Sequence, residues 1–512
     1  MSATKRFLSG SLAGWASIAV VLLNQLALVP LFLSHWSVEE YGVWLAVPAL
    51  LSFSTVFSFG YSTYFEFEFL KMGGKDRADI GKLLYAGLPI VLAMAFTEML
   101  LLIALVLSGA IGNVLAFNLS IPTELIRDAG YLLIVQSINW LVCICVPGMF
   151  QRALGPLGYY ARNSWMYVLG AATSTLATAV SVSMGASFLE TGVIQVLAYS
   201  VFAAYFVCDL WKNLAKEQVK PIRPNIALGF KAIFPAIGMA IKILLGMVQQ
   251  QGIRILLSSS LGLRELASFA SMRTISNFAL QGIGTVVNPI TPELTRFASN
   301  QESDKVQGVF SVMWFLTVVL LSFSLIALQV MGPWLFNSWT LGKIVFNPVV
   351  FAILSASLLV YGLSQPALAV VRGSNNVHAQ LLATICGAAI VAISVFAFSR
   401  TWGLIAAATG IFLSELTSFG IYAWSAKKWM LEQNLVWPSS MFRLIGVYAA
   451  VGASGILATS MTHRYVVLVV AVVTITQLIL TFQLWGTLPP AVVQRIQGVA
   501  KRFFPSKFHG RV

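Results

Sequence analysis

The sequence predicts an all-α polytopic membrane protein, on three observations. Hydrophobic residues make up 58% of the 512-residue chain and charged residues only 10%, whereas a soluble domain carries about a quarter charged residues. Mean hydropathy is +0.84. Apolar runs recur from end to end, each near the ~20 residues that cross ~30 Å of hydrocarbon. The runs are continuous rather than alternating, which excludes a transmembrane β-barrel.

Fourteen transmembrane helices follow, at about 11–33, 43–67, 83–109, 128–150, 165–188, 191–211, 232–258, 267–290, 307–331, 348–371, 379–399, 404–426, 443–461 and 464–485. The first run, Leu12 to Leu33, follows Lys5 and Arg6 as a signal peptide would. It is too long and ends in no A-x-A-like site, so it reads as an uncleaved first helix. The basic loop 212–231 divides the chain near its middle, and its Pro221 and Pro224 suit a linker between two lobes. The expected organisation is an N-lobe at 1–222 (helices 1–6), a C-lobe at 223–430 (helices 7–12), and 431–512 carrying helices 13 and 14 with a basic tail. Pro48, Pro147, Pro235 and Pro366 mark expected kinks.

The cations test this count. Of the 32 Lys and Arg, Lys242, Arg254 and Arg273 fall inside spans. Only Arg127, Arg264, Lys343, Arg400 and Arg464 fall outside the cell in a topology with both termini cytoplasmic; all others fall in cytoplasmic segments. One missed helix would scramble every later loop, so the asymmetry supports the topology. The net charge of +14 then expresses topology and attraction to anionic lipid, with no nucleic-acid partner implied. Cys143, Cys145, Cys208 and Cys386 all lie in apolar segments and suggest neither disulfides nor a zinc site.

A shift of 225 residues lays "NQLALVPLFLSHWSVEEYGVW" (24–44) on "QQGIRILLSSSLGLRELASFA" (249–269), matching helix 1 and its external turn with helix 7 and its own. A second echo joins "CVPGMFQRALGPLGYYARN" (145–163) to "SQPALAVVRGSNNVHAQ" (364–380), each with a Pro shortly before an Arg. Two pseudo-symmetric six-helix lobes are the expected result, with helices 13 and 14 as an appended pair.

The segment "EEYGVWLAVPALLSFSTVFSFGYSTY" (39–64), an acidic-Tyr-Gly turn feeding a helix that ends near Phe-Gly-Tyr, resembles the polysaccharide transporters. These include the O-antigen flippases of the multidrug/oligosaccharidyl-lipid/polysaccharide (MOP) exporter superfamily. Twelve spans are common in such transporters and fourteen in the murein-precursor flippases of the same superfamily. The resemblance implies a MATE-like fold in a bacterial inner membrane, translocating a polyprenyl-diphosphate-linked oligosaccharide by alternating access. It also implies surface-polysaccharide or lipopolysaccharide biosynthesis, with polysaccharide polymerase and chain-length proteins as partners, and no cofactor or catalytic residue.

Within that frame "IKILLGMVQQQGIRILL" (241–257) acquires a meaning. A Lys at mid-bilayer costs about 2.5–3.5 kcal/mol, and Lys242 lies about ten residues, or ~15 Å, into its helix. Lys242, Arg254 and Arg273 are the candidate substrate-binding cations of a wet cavity between lobes, accepting the diphosphate through charge-assisted hydrogen bonds. The competing structural reading is snorkelling for Arg254 and Arg273; Lys242 is too deep for it. Asn24, Gln25, Gln249, Gln250 and Asn277 are candidate cavity-lining groups, or else helix–helix hydrogen-bonding groups, a choice that also holds for Gln251, Asn139 and Gln281. Glu98 and Glu415, deep in helices 3 and 12, are candidates for coupling to H⁺ or Na⁺, for pairing with Lys242, or for packing as neutral carboxyls. Glu66 and Glu68 face opposite ways near the cytoplasmic end, and Asp209 reads as a boundary residue.

Other functions fit less well. A membrane glycan polymerase or ligase needs an acid–base or nucleophile constellation at the surface; the external loops are short and His35, His378, His463 and His509 form no metal spacing. No G-x-x-x-x-G-K-[ST] is present for ATP-driven transport, and no filter-like element for a channel. A multidrug/cation antiporter calls for an acidic, aromatic cavity, against the cations of helix 7. Murein-precursor flippases carry arginines in the first helix, and here none lies between Leu12 and Leu33.

Overall fold

The computed structural model describes residues 3–488, apart from 73–76, 116–121, 375, 462–464 and, between 288 and 300, all but 290, 294 and 297. Lys75, Arg296, Arg464 and the basic tail lie outside the described residues, as do the side chains of Lys5, Arg6, Gln249 and Gln250. Helix is the only regular structure among the described residues. Among the described residues eleven helices are long and apolar enough to cross a membrane, and a bent pair makes twelve. The predicted seventh and eighth spans are helical too, but neither is among these. In the seventh the apolar helix Ile233–Met247 is short, ended by a π segment at 248–252, and the eighth carries Arg264, Glu265 and Arg273.

Contacts gather the chain into two units, the first running to Ala270 and including Asn337–Val345. Its helices are α1 (Ala3–His35), α2 (Val38–Ser54), α3 (Val56–Met72), α4 (Arg77–Leu107), the short α5 (Ala110–Leu115) and α6 (Thr123–Asn139). A π segment, Trp140–Cys145, joins α6 to α7 (Val146–Leu154); α8 (Tyr160–Ser183), α9 (Phe188–Lys216) and α10 (Ile226–Lys231) follow. Then come α11 (Ile233–Met247), a second π segment (Val248–Gly252), α12 (Ile253–Ser260) and the first turns of α13 (Leu263–Val287).

Local chemistry sets these boundaries. Ser37 with Glu40 and Ser187 with Glu190 form capping boxes that start α2 and α9. Pro147, an expected kink, follows the π segment at the first turn of α7, where its missing N–H is tolerated. In the second span the sharp bend comes later than Pro48. The span breaks at Thr55, where α2 and α3 meet at 61°. The Ser54 and Thr55 hydroxyls both donate to the Leu51 carbonyl at 2.9 Å, back-bonding that bends helices.

Span 2 (α2–α3) and span 7 (α11–α12) lie antiparallel along a seam set by glycine. A Cβ built on Gly42 would stand 2.4 Å from the Leu263 carbonyl oxygen, and one on Gly60 2.6 Å from Ala240 Cα. Between them a Cβ built on Gly252 would lie 3.9 Å from the Phe53 ring. Only small residues permit such backbone approach.

The second unit takes Ser271–Phe336 and the residues from Phe346 onward. It holds the rest of α13, α14 (Ser303–Trp314), a π segment (Phe315–Val319), α15 (Leu320–Trp339), α16 (Pro348–Gly373), α17 (Val377–Trp402), α18 (Leu404–Glu432), α19 (Ser439–Met461) and α20 (Val466–Thr487). Its core centres on Phe310, Trp314, Trp437 and Phe442. Trp314 is fully buried, and its indole N–H donates to the Leu363 carbonyl at 2.9 Å, as a buried Trp requires. On α20, buried Gln477 donates its amide to the Ser322 hydroxyl of α15.

Candidate functional site

Helix α11 presents three different faces. Ala236 and Ala240 are buried, and Ala240 meets α3 at Gly60. Phe234, Ile237 and Ile241 form an exposed apolar stripe. Lys242 is exposed on a third face, about 100° from Ile241 and about 160° from Ala240 at 3.6 residues per turn. One turn before it stands Gly238 and one turn after it Gly246, and a Cβ on either would meet no described atom within 4 Å. No acidic side chain pairs with Lys242 among the described residues. Each helical glycine costs about 1 kcal/mol against alanine, and packing does not account for these two. What they provide is clearance around an ammonium group, on a face separate from the apolar stripe.

The Gln249–Gln251 triplet falls in the π segment 248–252, so the helix beyond it is rotated relative to an uninterrupted one. Arg254, on α12, is half-buried and within electrostatic reach of Tyr41. Farther along, the start of α2 and the start of α13 close on one another. The Gly42–Leu263 contact lies there, and Arg264 Nε donates to Glu39 Oε1 at 2.9 Å. These two residues are 225 apart, the same spacing as the sequence match between 24–44 and 249–269. Behind it Phe32, Trp36 and Trp44 cluster, and Trp36 donates to the Ala186 carbonyl at 3.0 Å.

Glu98 is 8% exposed on α4 and serves the break in span 2. Its Oε1 accepts from the backbone N–H groups of Phe57 at 2.8 Å and Ser58 at 3.0 Å, the first-turn donors of α3 that a straight helix would have used. Its Oε2 has no hydrogen-bond partner among the described residues. Glu98→Ala is therefore expected to destabilise the protein by about 1.5–3 kcal/mol, the range for a charged hydrogen bond. Thermal unfolding in detergent checks it: Ala should lower the midpoint, and Gln, which keeps one acceptor, should lower it less.

The second unit holds Arg273 and Glu415. The Arg273 guanidinium of α13 acts electrostatically on the half-buried Glu415 carboxyl of α18. Tyr422, two turns on, lies in the field of Glu415, Arg372 and Tyr361. Of the candidate lining groups, Asn24 is exposed on α1, while Gln25 and Asn277 are half-buried. Arg152, expected in a cytoplasmic loop, lies at the end of α7 and pairs with Glu66 at 3.2 Å. Glu68 pairs instead with Lys71 at 2.7 Å, the two carboxylates thus serving opposite sides of α3. Asp209, read as a boundary residue, holds Arg162.

Sequence reasoning passed over Gly238, Gly246, Gly42 and Gly60. The available signal was their occurrence inside spans, where glycine has either a packing or a clearance reason.

No protein-family model and no curated sequence relative matches the chain. Solved structures do. A lipid II flippase MurJ in an inward closed conformation superposes with TM-score 0.66 at 14% identity, covering 94% of this chain and 99% of that one. An inward-facing multidrug resistance MATE family transporter of the MOP superfamily gives 0.62 at 12% identity, covering 81% and 95%. A MOP superfamily transporter from Pyrococcus furiosus, described as having a binding pocket of reversed polarity, gives 0.51 at 13%, covering 84% and 97%. The chain has the MOP/MATE-like transporter fold.

Proposed function

We propose that this chain is a MOP-superfamily flippase. It translocates a polyprenyl-diphosphate-linked oligosaccharide, an O-antigen or other surface-polysaccharide repeat unit, across a bacterial inner membrane. The observation that carries this reading is Lys242, without an acidic partner among the described residues, on a glycine-cleared helix face apart from the apolar stripe. A lysine facing hydrocarbon at mid-bilayer costs several kcal/mol; one facing a wet path for an anionic head group does not.

In this reading Lys242, Arg254 and Arg273 take the diphosphate in turn. Glu415, in the field of Arg273, exchanges H⁺ or Na⁺ as substrate phosphate displaces it. Glu98 is a second candidate for coupling. Residues 1–222 and 223–430 act as the two lobes, both termini are cytoplasmic, and the Glu39–Arg264 closure lies on the external side. A cationic-drug antiporter fits less well, because Lys242 and Arg254 repel its substrate.

A second reading, a murein-lipid-precursor flippase, is favoured by the full-length likeness to a lipid II flippase. Mass spectrometry of lipid extracts from cells with and without the chain separates these possibilities. Accumulation of a polyprenyl-diphosphate surface-glycan unit on deletion supports the first reading; accumulation of the murein precursor supports the second. An unchanged lipid profile with altered sensitivity to cationic drugs overturns both.

A further inference from the structure

A cleft of about 500 Å³ opens in the first unit where four apolar helices end on the same side. It is lined by Ser9 of α1, Leu157, Gly158 and Tyr159 of the turn before α8, Arg162 of α8, and Lys216 with Glu217 at the end of α9. That volume lies within the ordinary range for a small-ligand site.

Its carboxylates are already engaged. Glu217 accepts from the Tyr159 hydroxyl at 3.0 Å through Oε1 and from Arg77 at 3.1 Å through Oε2. Burial, with Glu217 beside it, raises the Tyr159 phenol above its ordinary value and keeps it a donor. Asp209, just behind, accepts from Arg162 and from the Asn213 amide. What remains to meet a ligand is donors. Arg162 uses Nε and Nη2 on Asp209, leaving Nη1, and its side chain is 48% exposed. Lys216 is exposed, with no ion pair among the described residues. Ser9 accepts from the Trp165 indole, and its own O–H donates to no described residue.

The surroundings are those of a membrane boundary. Tyr160, Trp165, Tyr205 and Trp211 are exposed nearby on α8 and α9, as aromatic residues of an interfacial belt are. A donor-rich cleft at that depth is matched to a phosphate carried by lipid. We propose that this cleft binds the phosphate of an anionic glycerophospholipid head group, held by Lys216 and Arg162 with Ser9. The site is separate from the Lys242 face and does not depend on the transport reading.

The test uses the purified full chain in detergent. The ligands are phosphatidylglycerol, phosphatidylcholine or inorganic phosphate, and binding is followed by native mass spectrometry and by the unfolding midpoint. Phosphatidylglycerol is expected to bind and raise the midpoint, with phosphatidylcholine and inorganic phosphate inert. Lys216→Gln should weaken that binding about fivefold and Lys216→Glu about thirtyfold, from ~1 kcal/mol per interfacial cation. Lys216→Arg should retain it, and Lys427→Gln, on another helix, should leave it unchanged. Equal phosphatidylglycerol binding by wild type and Lys216→Glu would overturn the site. Inorganic phosphate competing at equal concentration would overturn the lipid assignment.

Discussion

Lys242→Ala is expected to lower translocation of the lipid-linked substrate about ten- to a hundredfold while expression and membrane insertion stay normal. A hydrogen bond to a charged group contributes about 1.5–3 kcal/mol, and each 1.4 kcal/mol is tenfold. Lys242 makes no ion pair among the described residues and is exposed, so its removal leaves no buried partner behind and the fold should not suffer. Gly246→Leu provides the complementary test. A Cβ there meets nothing within 4 Å, and leucine replaces a poor helix former, so the helix should gain about 0.5–1 kcal/mol. Transport should nonetheless fall sharply, because the added side chain fills the space one turn from Lys242. Stability rising while transport is lost is a pattern that a merely structural glycine does not give. Initial rates in proteoliposomes, with unfolding midpoints alongside, check both variants.

Gly42→Ala should open the end of the molecule that carries Glu39. Two contacts hold that end, and their magnitudes differ. The Glu39–Arg264 pair is solvent-accessible, with side-chain exposures of 38% and 70%, and such pairs contribute about 0–1 kcal/mol. Overpacking a close contact costs about 1–3 kcal/mol, and a Cβ at Gly42 has only 2.4 Å to the Leu263 carbonyl oxygen. That oxygen belongs to backbone and cannot swing aside, so α2 and the start of α13 must separate. A cysteine replacing Ser258, which is fully buried on α12, reports the change in a chain whose four native cysteines are serine. Its labelling by a membrane-impermeant thiol reagent should rise more than fivefold with Gly42→Ala, and less than fivefold with Glu39→Ala. If the order is reversed, the ion pair and not the glycine contact holds the closure.

Much of this architecture was legible because membrane solvent imposes it. Apolar length indicated an all-helical, multi-pass architecture, and the predicted spans at 348–371, 379–399, 443–461 and 464–485 match Pro348–Gly373, Val377–Trp402, Ser439–Met461 and Val466–Thr487 to within about a turn, whereas helix continues past the predicted ninth span to Trp339. The 225-residue shift matched two turns in sequence but said nothing of a contact; Arg264 and Glu39, 225 residues apart, form an ion pair. The break at Thr55 was less legible. Pro48 is the evident helix breaker, but the bend comes at the Ser54 and Thr55 back-bonds, and Glu98, 43 residues from Thr55, accepts the freed N–H groups of Phe57 and Ser58. No local pattern encodes that partnership. The same holds for glycine: Gly42 and Gly60 sit against backbone, while Gly238 and Gly246 sit against nothing, and in sequence all four look alike. The π segment through the glutamine triplet also escapes a regular 3.6-residue reading, which assumes unbroken phase through residues 248–252.

The most direct test of an anion-accepting path is a comparison of cargoes in proteoliposomes holding only this chain. One oligosaccharide is offered on polyprenyl diphosphate and on an uncharged polyprenyl ether, beside a lipophilic organic cation, and leaflet movement of each is timed. The proposal predicts rapid movement of the diphosphate-linked lipid, slowed by Lys242→Ala, with the neutral lipid and the cation near the protein-free rate. Equal movement of the neutral lipid, or movement of the cation undiminished by an intact Lys242, would contradict it.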